Sequence, residues 1–292
     1  MSNVSSEFSL KLGVIGCGSL GTAILRGLLT ANNANLTPAE VRASVVSKAS
    51  AVALRETLRS ISEKVAVNVY QGQNVTVAQE SNIIILACPP QFMTTTLGEG
   101  GMQDALRGKL LISVLAGVTT QSIHEAISRG RSSSAMEYYV ARALPNLAVA
   151  QHASATAIEI VDPELPADKG DMVSAVFLQL GRIMYLPASL MDAATVMCGS
   201  TPAFIAIFLD GIIDGAVAAG VPRNKADVMV SQVLASTAAL MQNGQRASSL
   251  RESVCAMPGC TIQASIVLEQ GGVRGTAATA MKAAITAAGK LG

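Results

Sequence analysis

The first apolar run of the chain, Leu12-Gly13-Val14-Ile15, breaks into Gly16-Cys17-Gly18-Ser19-Leu20-Gly21 and continues as Thr22-Ala23-Ile24-Leu25-Arg26-Gly27-Leu28-Leu29. A strand, a glycine turn and a helix in that order leave little choice of fold. The first glycine permits a tight turn, the second lets the backbone approach a pyrophosphate, and the third lets helix and strand pack closely. The helix N-terminus then faces the phosphates with unpaired N–H groups. Glycine-rich turns also occur as plain loops; the apolar strand before and the helix after are what make this one a dinucleotide fingerprint. Gly16, Gly18, Ser19, Leu20 and Gly21 are therefore the expected cofactor-binding residues.

Beyond this unit, Val41–Ser47, Val65–Tyr70, Ile83–Ala87, Leu110–Val114 and Tyr138–Arg142 read as further strands with helical stretches between them, and Ala153–Ile160 as an extension of the sheet. Such alternation predicts a Rossmann-type doubly wound α/β sheet with helices on both faces. Asp162-Pro163-Glu164-Leu165-Pro166 marks a turn and a change of texture, which places a domain boundary between residues 163 and 164. One helix and a short strand, Arg182–Leu186, follow; from Leu190 onward the pattern is almost wholly helical, and 164–292 reads as a helix bundle.

The 292 residues suffice for two domains with sizeable cores. Half the residues are apolar and 14% charged, with 3% aromatic and no Trp, so the core is built from small aliphatic side chains and Met, with extensive packing between helices or subunits expected. A net charge of +1 without a basic stripe excludes an electrostatic footprint for nucleic acid. The apolar stretch Ala203–Val221 carries Asp210 and Asp214 and reads as a buried helix, not a membrane span. Five scattered cysteines fit reduced thiols, neither His124 nor His152 has metal-ligand company, and no metal is expected. The N-terminal segment carries no secretory or transit pattern, which favours the cytosol.

At the end of the second strand, where NAD-selective sites place an acidic side chain on the ribose 2′-hydroxyl, this chain has Ser47-Lys48-Ala49-Ser50. A hydroxyl beside a cation accommodates a 2′-phosphate, so Ser47 and Lys48 point to NADPH, with NADH the alternative and a merely solvated Lys48 the plainer one. The loops Ala87-Cys88-Pro89-Pro90-Gln91 and Leu115-Ala116-Gly117-Val118-Thr119 lie where open α/β sheets bind ligands. Ala87, Cys88, Pro89, Ala116 and Gly117 join the cofactor set. Asn146, in Arg142-Ala143-Leu144-Pro145-Asn146, is placed beside the nicotinamide, where its amide both donates and accepts.

Two further segments, Cys198-Gly199-Ser200-Thr201-Pro202-Ala203-Phe204 and Met257-Pro258-Gly259-Cys260-Thr261-Ile262, are ordinary loops when taken singly. In this order and spacing the set resembles the pyrroline-5-carboxylate reductases, whose hallmarks are an opening GxGxxG, a VKP loop, AAGV, an R-x-M-P-N turn, GSGPA and a PGGxT loop. The resemblance runs from Leu12 to the last helix. It implies NAD(P)H-dependent reduction of a cyclic imine acid to proline, by a homodimer of intertwined helical domains that often assembles into rings. It also implies a C-terminal dimerisation and substrate-binding domain in which Pro258, Gly259, Cys260 and Thr261 form the substrate loop.

The departures are specific. VKP appears as Cys88-Pro89-Pro90, AAG as Leu115-Ala116-Gly117, a glycine of GSGPA as Thr201, and the S-P-G-G-x-T substrate loop as Ala256-Met257-Pro258-Gly259-Cys260-Thr261, so that a serine is lost and a glycine becomes Pro258. Pro258 cannot donate a backbone hydrogen bond. Carboxylate binding then falls to the N–H groups of Gly259 and Thr261, and the change opens the alternative of another cyclic imine, such as a piperideine carboxylate. Thr261 is the candidate catalytic residue, hydrogen-bonding the ring nitrogen or a water on it, with capping of the following helix as its structural alternative. Asp210 and Asp214, four apart, read as an acid/base pair or as helix-end or inter-subunit hydrogen bonding. A β-hydroxyacid dehydrogenase would need a lysine from the first long helix of the second domain, and none occurs between Lys169 and Lys225. A nucleotide-binding or redox-sensing protein without turnover is the reading from another class.

Overall fold

The computed structural model describes residues 10–31, 37–61, 65–129, 138–161, 165–255 and 258–290. Eight strands form one sheet: β1 (Lys11–Ile15), β2 (Glu40–Val45), β3 (Ala66–Gln71), β4 (Ile83–Leu86), β5 (Leu110–Ser113), β6 (Tyr139–Leu144), β7 (Ser154–Ile160) and β8 (Gly181–Pro187). Their order is β3-β2-β1-β4-β5-β6-β7-β8, with β1 to β6 parallel, β7 antiparallel to β6, and β8 parallel to β7. The reversal between β1 and β4 is the switch point of the dinucleotide-binding topology. β4 is a continuous apolar run, and β1 and β5 are apolar but for Lys11 and Ser113 at their ends, because helices cover both faces of the sheet; the cores on those faces are separate.

The covering helices are α1 (Ser19–Thr30), α2 (Lys48–Arg59), α3 (Asn74–Gln79), α4 (Met93–Leu97), α5 (Met102–Ala105), α6 (Thr120–Ser128) and α7 (Ala167–Leu178). α1 runs close to the 3-10 turn Leu147–Gln151: a Cβ on Gly27 would collide with Val149 O, so this contact requires glycine. α6 is capped by Thr119, whose hydroxyl accepts from Ser122 N at 3.1 Å. A short helix α8 (Met191–Ala194) then leads through a π-helical turn, Thr195–Ser200, into α9 (Thr201–Ala218), α10 (Arg223–Gln242), α11 (Ala247–Val254), α12 (Cys260–Gln270) and α13 (Val273–Ala288).

The chain divides into two compact units, one reaching to Gly199 and resumed from Ile285, the other Ser200–Ala284. The boundary expected at 163/164 falls outside the described residues, but the first unit continues well past it. α7 packs on the sheet, and β8 pairs with β7 from Ser154↔Gly181 to Ile160↔Pro187. The first unit thus continues beyond the expected boundary, and β8 is claimed by long-range hydrogen bonds that local composition does not reveal.

The second unit has very little interior. Ile213 and Ala226 are the buried residues of α9 and α10, while α11 and α12 bury none. The expectation of a buried Ala203–Val221 helix is not met within one chain: Ile207 is 75% exposed and Phe208 44%. Residues 188–218 form a single helical stretch, the one among the described residues long and apolar enough to cross a membrane by length and composition. α9 is tied to α10 by an ion pair of Asp214 with Arg223, which gives Asp214 a structural partner. Glu269 on α12 pairs with Arg251 of α11 at 3.5 Å and with Arg274 of α13 at 3.0 Å.

Candidate dinucleotide cleft and substrate-loop helix

At the C-terminal ends of β1, β2, β4 and β5 a cleft of about 390 Å³ opens, lined by the glycine loop, Val45, Val46 and Ser50, residues 87–90 and Val114–Ala116. The backbone dictates its shape. Gly16 lies at φ +74°, and a Cβ there would run into the backbone of Cys88, so the turn after β1 and the loop after β4 touch main chain to main chain. Gly21 faces Val14, Cys17 and Ala87, where an added Cβ would sit 3.2 to 3.4 Å from their side chains. A Cβ on Gly18 would meet nothing within 4 Å, so the omission of a side chain keeps the mouth of the cleft open.

These three environments match the three glycine roles of a dinucleotide site. Gly18 is also the N-cap of α1 and supplies no side chain to it, so the first-turn N–H groups face out without a protein cap. The first turn holds no acidic residue. Burial pushes the Cys17 thiol up to about 12, outweighing the opposing pull of its contact with Thr22, and burial raises Cys88 as well. Both thiols therefore stay neutral and bring no negative charge to a place shaped for an anion. The cleft fits a pyrophosphate.

Gly16, Gly18, Ser19, Leu20, Ala87, Cys88, Pro89 and Ala116 line this cleft together. Gly21 stands behind it, and Gly117, at φ +73°, turns the chain toward the Thr119 cap. Ser47 and Lys48 are exposed just beyond β2. Ser47 caps α2 by accepting from Ser50 N at 3.0 Å, which sets Lys48 at the start of that helix. The strand stops at Val45, two residues short of Ser47, because the chain there turns to make this cap.

Asn146 lies outside the lining of the cleft. Its Oδ1 accepts from Ala148 N at 3.0 Å, and its Nδ2 donates to Cys198 O at 2.9 Å. Sequence reasoning missed this second bond because the acceptor is a main-chain oxygen, which no motif records.

In the second unit, Ala256 and Met257 fall outside the described residues. Gly259 is the N-cap of α12 in extended backbone, with no side-chain cap and no acidic residue in the first turn. Thr261 is the second residue of the helix, so it is not the cap. Its carbonyl accepts from Ser265 Oγ at 2.9 Å, while its hydroxyl has no hydrogen-bond partner among the described residues. An uncapped helix start with a free hydroxyl in its first turn suits a carboxylate-bearing ligand. No group of His, Cys, Asp and Glu among the described residues is placed to hold a metal.

Residues 188–291 match the family model described as pyrroline-5-carboxylate reductase dimerisation, and residues 11–117 match that described as NADP oxidoreductase coenzyme F420-dependent. The chain is 38% identical to the pyrroline-5-carboxylate reductase of Lophium arboricola, an alignment covering 100% of this chain and 97% of that protein. It is 32% identical to the pyrroline-5-carboxylate reductase of Schizosaccharomyces pombe, covering 96% and 98%. Its fold is similar to that of Plasmodium falciparum pyrroline carboxylate reductase with NADP bound, at a TM-score of 0.79, 21% identity and coverage of 97% and 98%. With the glycine cleft in the first unit, the uncapped α12 in the second and relatives matched from end to end, the chain belongs to the pyrroline-5-carboxylate reductase family.

Proposed function

We propose that the protein reduces 1-pyrroline-5-carboxylate to L-proline with NADPH. The observation that carries this reading is the end-to-end likeness to reductases of that name, one of them 38% identical over the whole of this chain. The fit of the glycine cleft to a dinucleotide supports it. NADPH supplies the hydride that the imine carbon accepts. Gly16, Gly18 and Gly21 shape the cleft, the first-turn N–H groups of Ser19, Leu20 and Gly21 meet the pyrophosphate, and residues 87–89 with Ala116 and Gly117 form its floor. Ser47 and Lys48 take the 2′-phosphate, Lys48 as a point charge and Ser47 through its hydroxyl.

The substrate carboxylate is held by the N–H groups of Gly259 and Thr261 at the start of α12, with Cys260 between them and Pro258 contributing no donor. Thr261 Oγ1 hydrogen-bonds the ring nitrogen, or a water on it, and so keeps a proton at the atom whose protonation makes the imine carbon a better hydride acceptor. No ionisable side chain is required for that step.

The protein acts as a cytosolic homodimer. The helices of its dimerisation segment leave Ile207, Met229, Val233 and Val267 more than half exposed in one chain, and a second copy covers them. This accounts for the apolar stretch 188–218 without a membrane. Dimers assemble further into rings.

The test is initial rates of NADPH oxidation with pyrroline-5-carboxylate and, side by side, with piperideine carboxylates. A higher kcat/KM for the five-membered ring is expected. A preference for the six-membered ring makes Pro258 a specificity device for another imine, and tight NADPH binding without turnover on either returns the protein to the non-catalytic class.

A further inference from the structure

Val114, Leu115 and Ala116 line the cleft from the short loop that joins β5 to α6. Such a loop presents a fixed surface only if its two ends are held. At the near end Val114 N donates to Leu86 O at 3.0 Å, and Leu115 N donates to the buried Ser113 Oγ at 3.3 Å. At the far end Thr119 is committed to capping α6 from within. The link to the sheet is made by Thr120, whose hydroxyl donates to Glu159 Oε1 at 2.9 Å.

Glu159 is itself immobile. It is buried, and its Oε2 pairs with Arg142 Nη1 at 2.5 Å across β6 and β7, which leaves Oε1 for Thr120. Arg142 lies opposite Ser113 in the β5–β6 register, so the loop is anchored on three neighbouring strands of the first unit. A buried ion pair adds little stability over a well-packed apolar pair, so packing does not account for it. What an apolar pair cannot do is accept the hydrogen of Thr120.

The strand order β3-β2-β1-β4-β5-β6 is that of two mononucleotide-binding halves meeting at the switch point. With the 2′-phosphate at Ser47 and Lys48 after β2, the loops after β4 and β5 serve the nicotinamide half. We propose that Glu159 is a positioning residue for that half of the cleft: through Thr120 it fixes the loop that presents Leu115 and Ala116, without touching the dinucleotide. This rests on the reading of the cleft as the NADPH site.

The test measures binding of two ligands, NADPH and adenosine 2′,5′-bisphosphate, which carries the adenosine half alone. Thr120→Val keeps the shape of the side chain and leaves the ion pair intact but removes the donor; Thr120→Ser keeps the hydroxyl. Thr120→Val is expected to raise the NADPH Kd roughly three- to tenfold, because the loop must then be ordered at the expense of binding. Thr120→Ser should stay within about twofold of wild type, and the bisphosphate Kd within about twofold in every variant. The double replacement Arg142→Met with Glu159→Leu removes the acceptor together with its counter-charge and should weaken NADPH to the same degree. Adding Thr120→Val to it should cost nothing further, since the two changes break one bond.

Equal weakening of both ligands would mean that the whole cleft had loosened and would overturn the proposal. So would a lowered Tm with the NADPH Kd unchanged, a Thr120→Ser variant as weak as Thr120→Val, or additive losses in the combined variant. A wild type that binds neither ligand sinks the dinucleotide reading and the proposal together. A wild type that binds both, with Thr120→Val indistinguishable from it, sinks the proposal alone.

Discussion

Lys48 stands exposed at the first position of α2, beside the Ser47 cap, and on the proposed reading it is the cation that meets a 2′-phosphate. Lys48→Glu should lower kcat/KM for NADPH by roughly tenfold or more and change that for NADH by less than about threefold, the gap narrowing at high salt. Parallel steady-state assays with the two cofactors decide it, and equal losses would make Lys48 a solvated helix residue. His124 is a second residue with a measurable signature. Burial holds its imidazole below the usual 6.5, and its Nδ1 lies 3.3 Å from Tyr138 Oη. A depressed pKa means that the fold favours the neutral ring, so this stabilisation is complete above pH 6.5 and is lost as pH falls through the lower folded value. His124→Phe should therefore show a flatter Tm between pH 7 and 5 than wild type in thermal melts. The residues legible from sequence were those whose job is done by their own backbone: Gly16, Gly18 and Gly21 each act through the absence of a side chain. Asn146 was legible as the residue that follows Pro145 after β6, but its bond to Cys198 O was not, since that acceptor lies 52 residues away and could be any carbonyl.

Among the elements, the join between β6 and β7 has the most buried charge. Arg142 and Glu159, each with 4% of its side chain exposed, form a 2.5 Å ion pair across these antiparallel strands, and Thr120 at the start of α6 donates to Glu159 Oε1 at 2.9 Å. Removing one partner leaves an uncompensated charge inside the protein, so Glu159→Ala should cost about 3–5 kcal/mol. Urea unfolding would measure that, and a double replacement, Arg142→Met with Glu159→Leu, should recover much of it. The same junction shows why some elements escape a reading of the chain. β4 declares itself as an unbroken apolar run, and β5 as one up to Ser113, because both faces are covered. The direction of β7 has no such signature, since the same residues can pair either way, and β8 owes its place to hydrogen bonds with β7 that no local pattern announces.

The chain divides into a sheet-bearing unit with two large cores and a smaller buried cluster, and a helical unit that has almost no core of its own. A bundle of this size without buried side chains in α11 and α12 depends on association for its stability. Sedimentation velocity is expected to show dimers or larger closed assemblies and no folded monomer, and Tm should rise with protein concentration; a monodisperse monomer would contradict the assignment of the exposed apolar faces to a second copy. The composition pointed to such association through its excess of small aliphatic residues, but which residues would be exposed depended on packing within one chain. The division of the chain has a further consequence for how the gene tolerates change. Because the backbone leaves the first unit after Gly199 and returns to it at Ile285, the helical unit is an insertion and not a tail. A relative's helices can be exchanged as one cassette with two joints, but a premature stop anywhere within 200–284 also deletes the closing segment of the sheet-bearing unit, so truncation injures both halves at once.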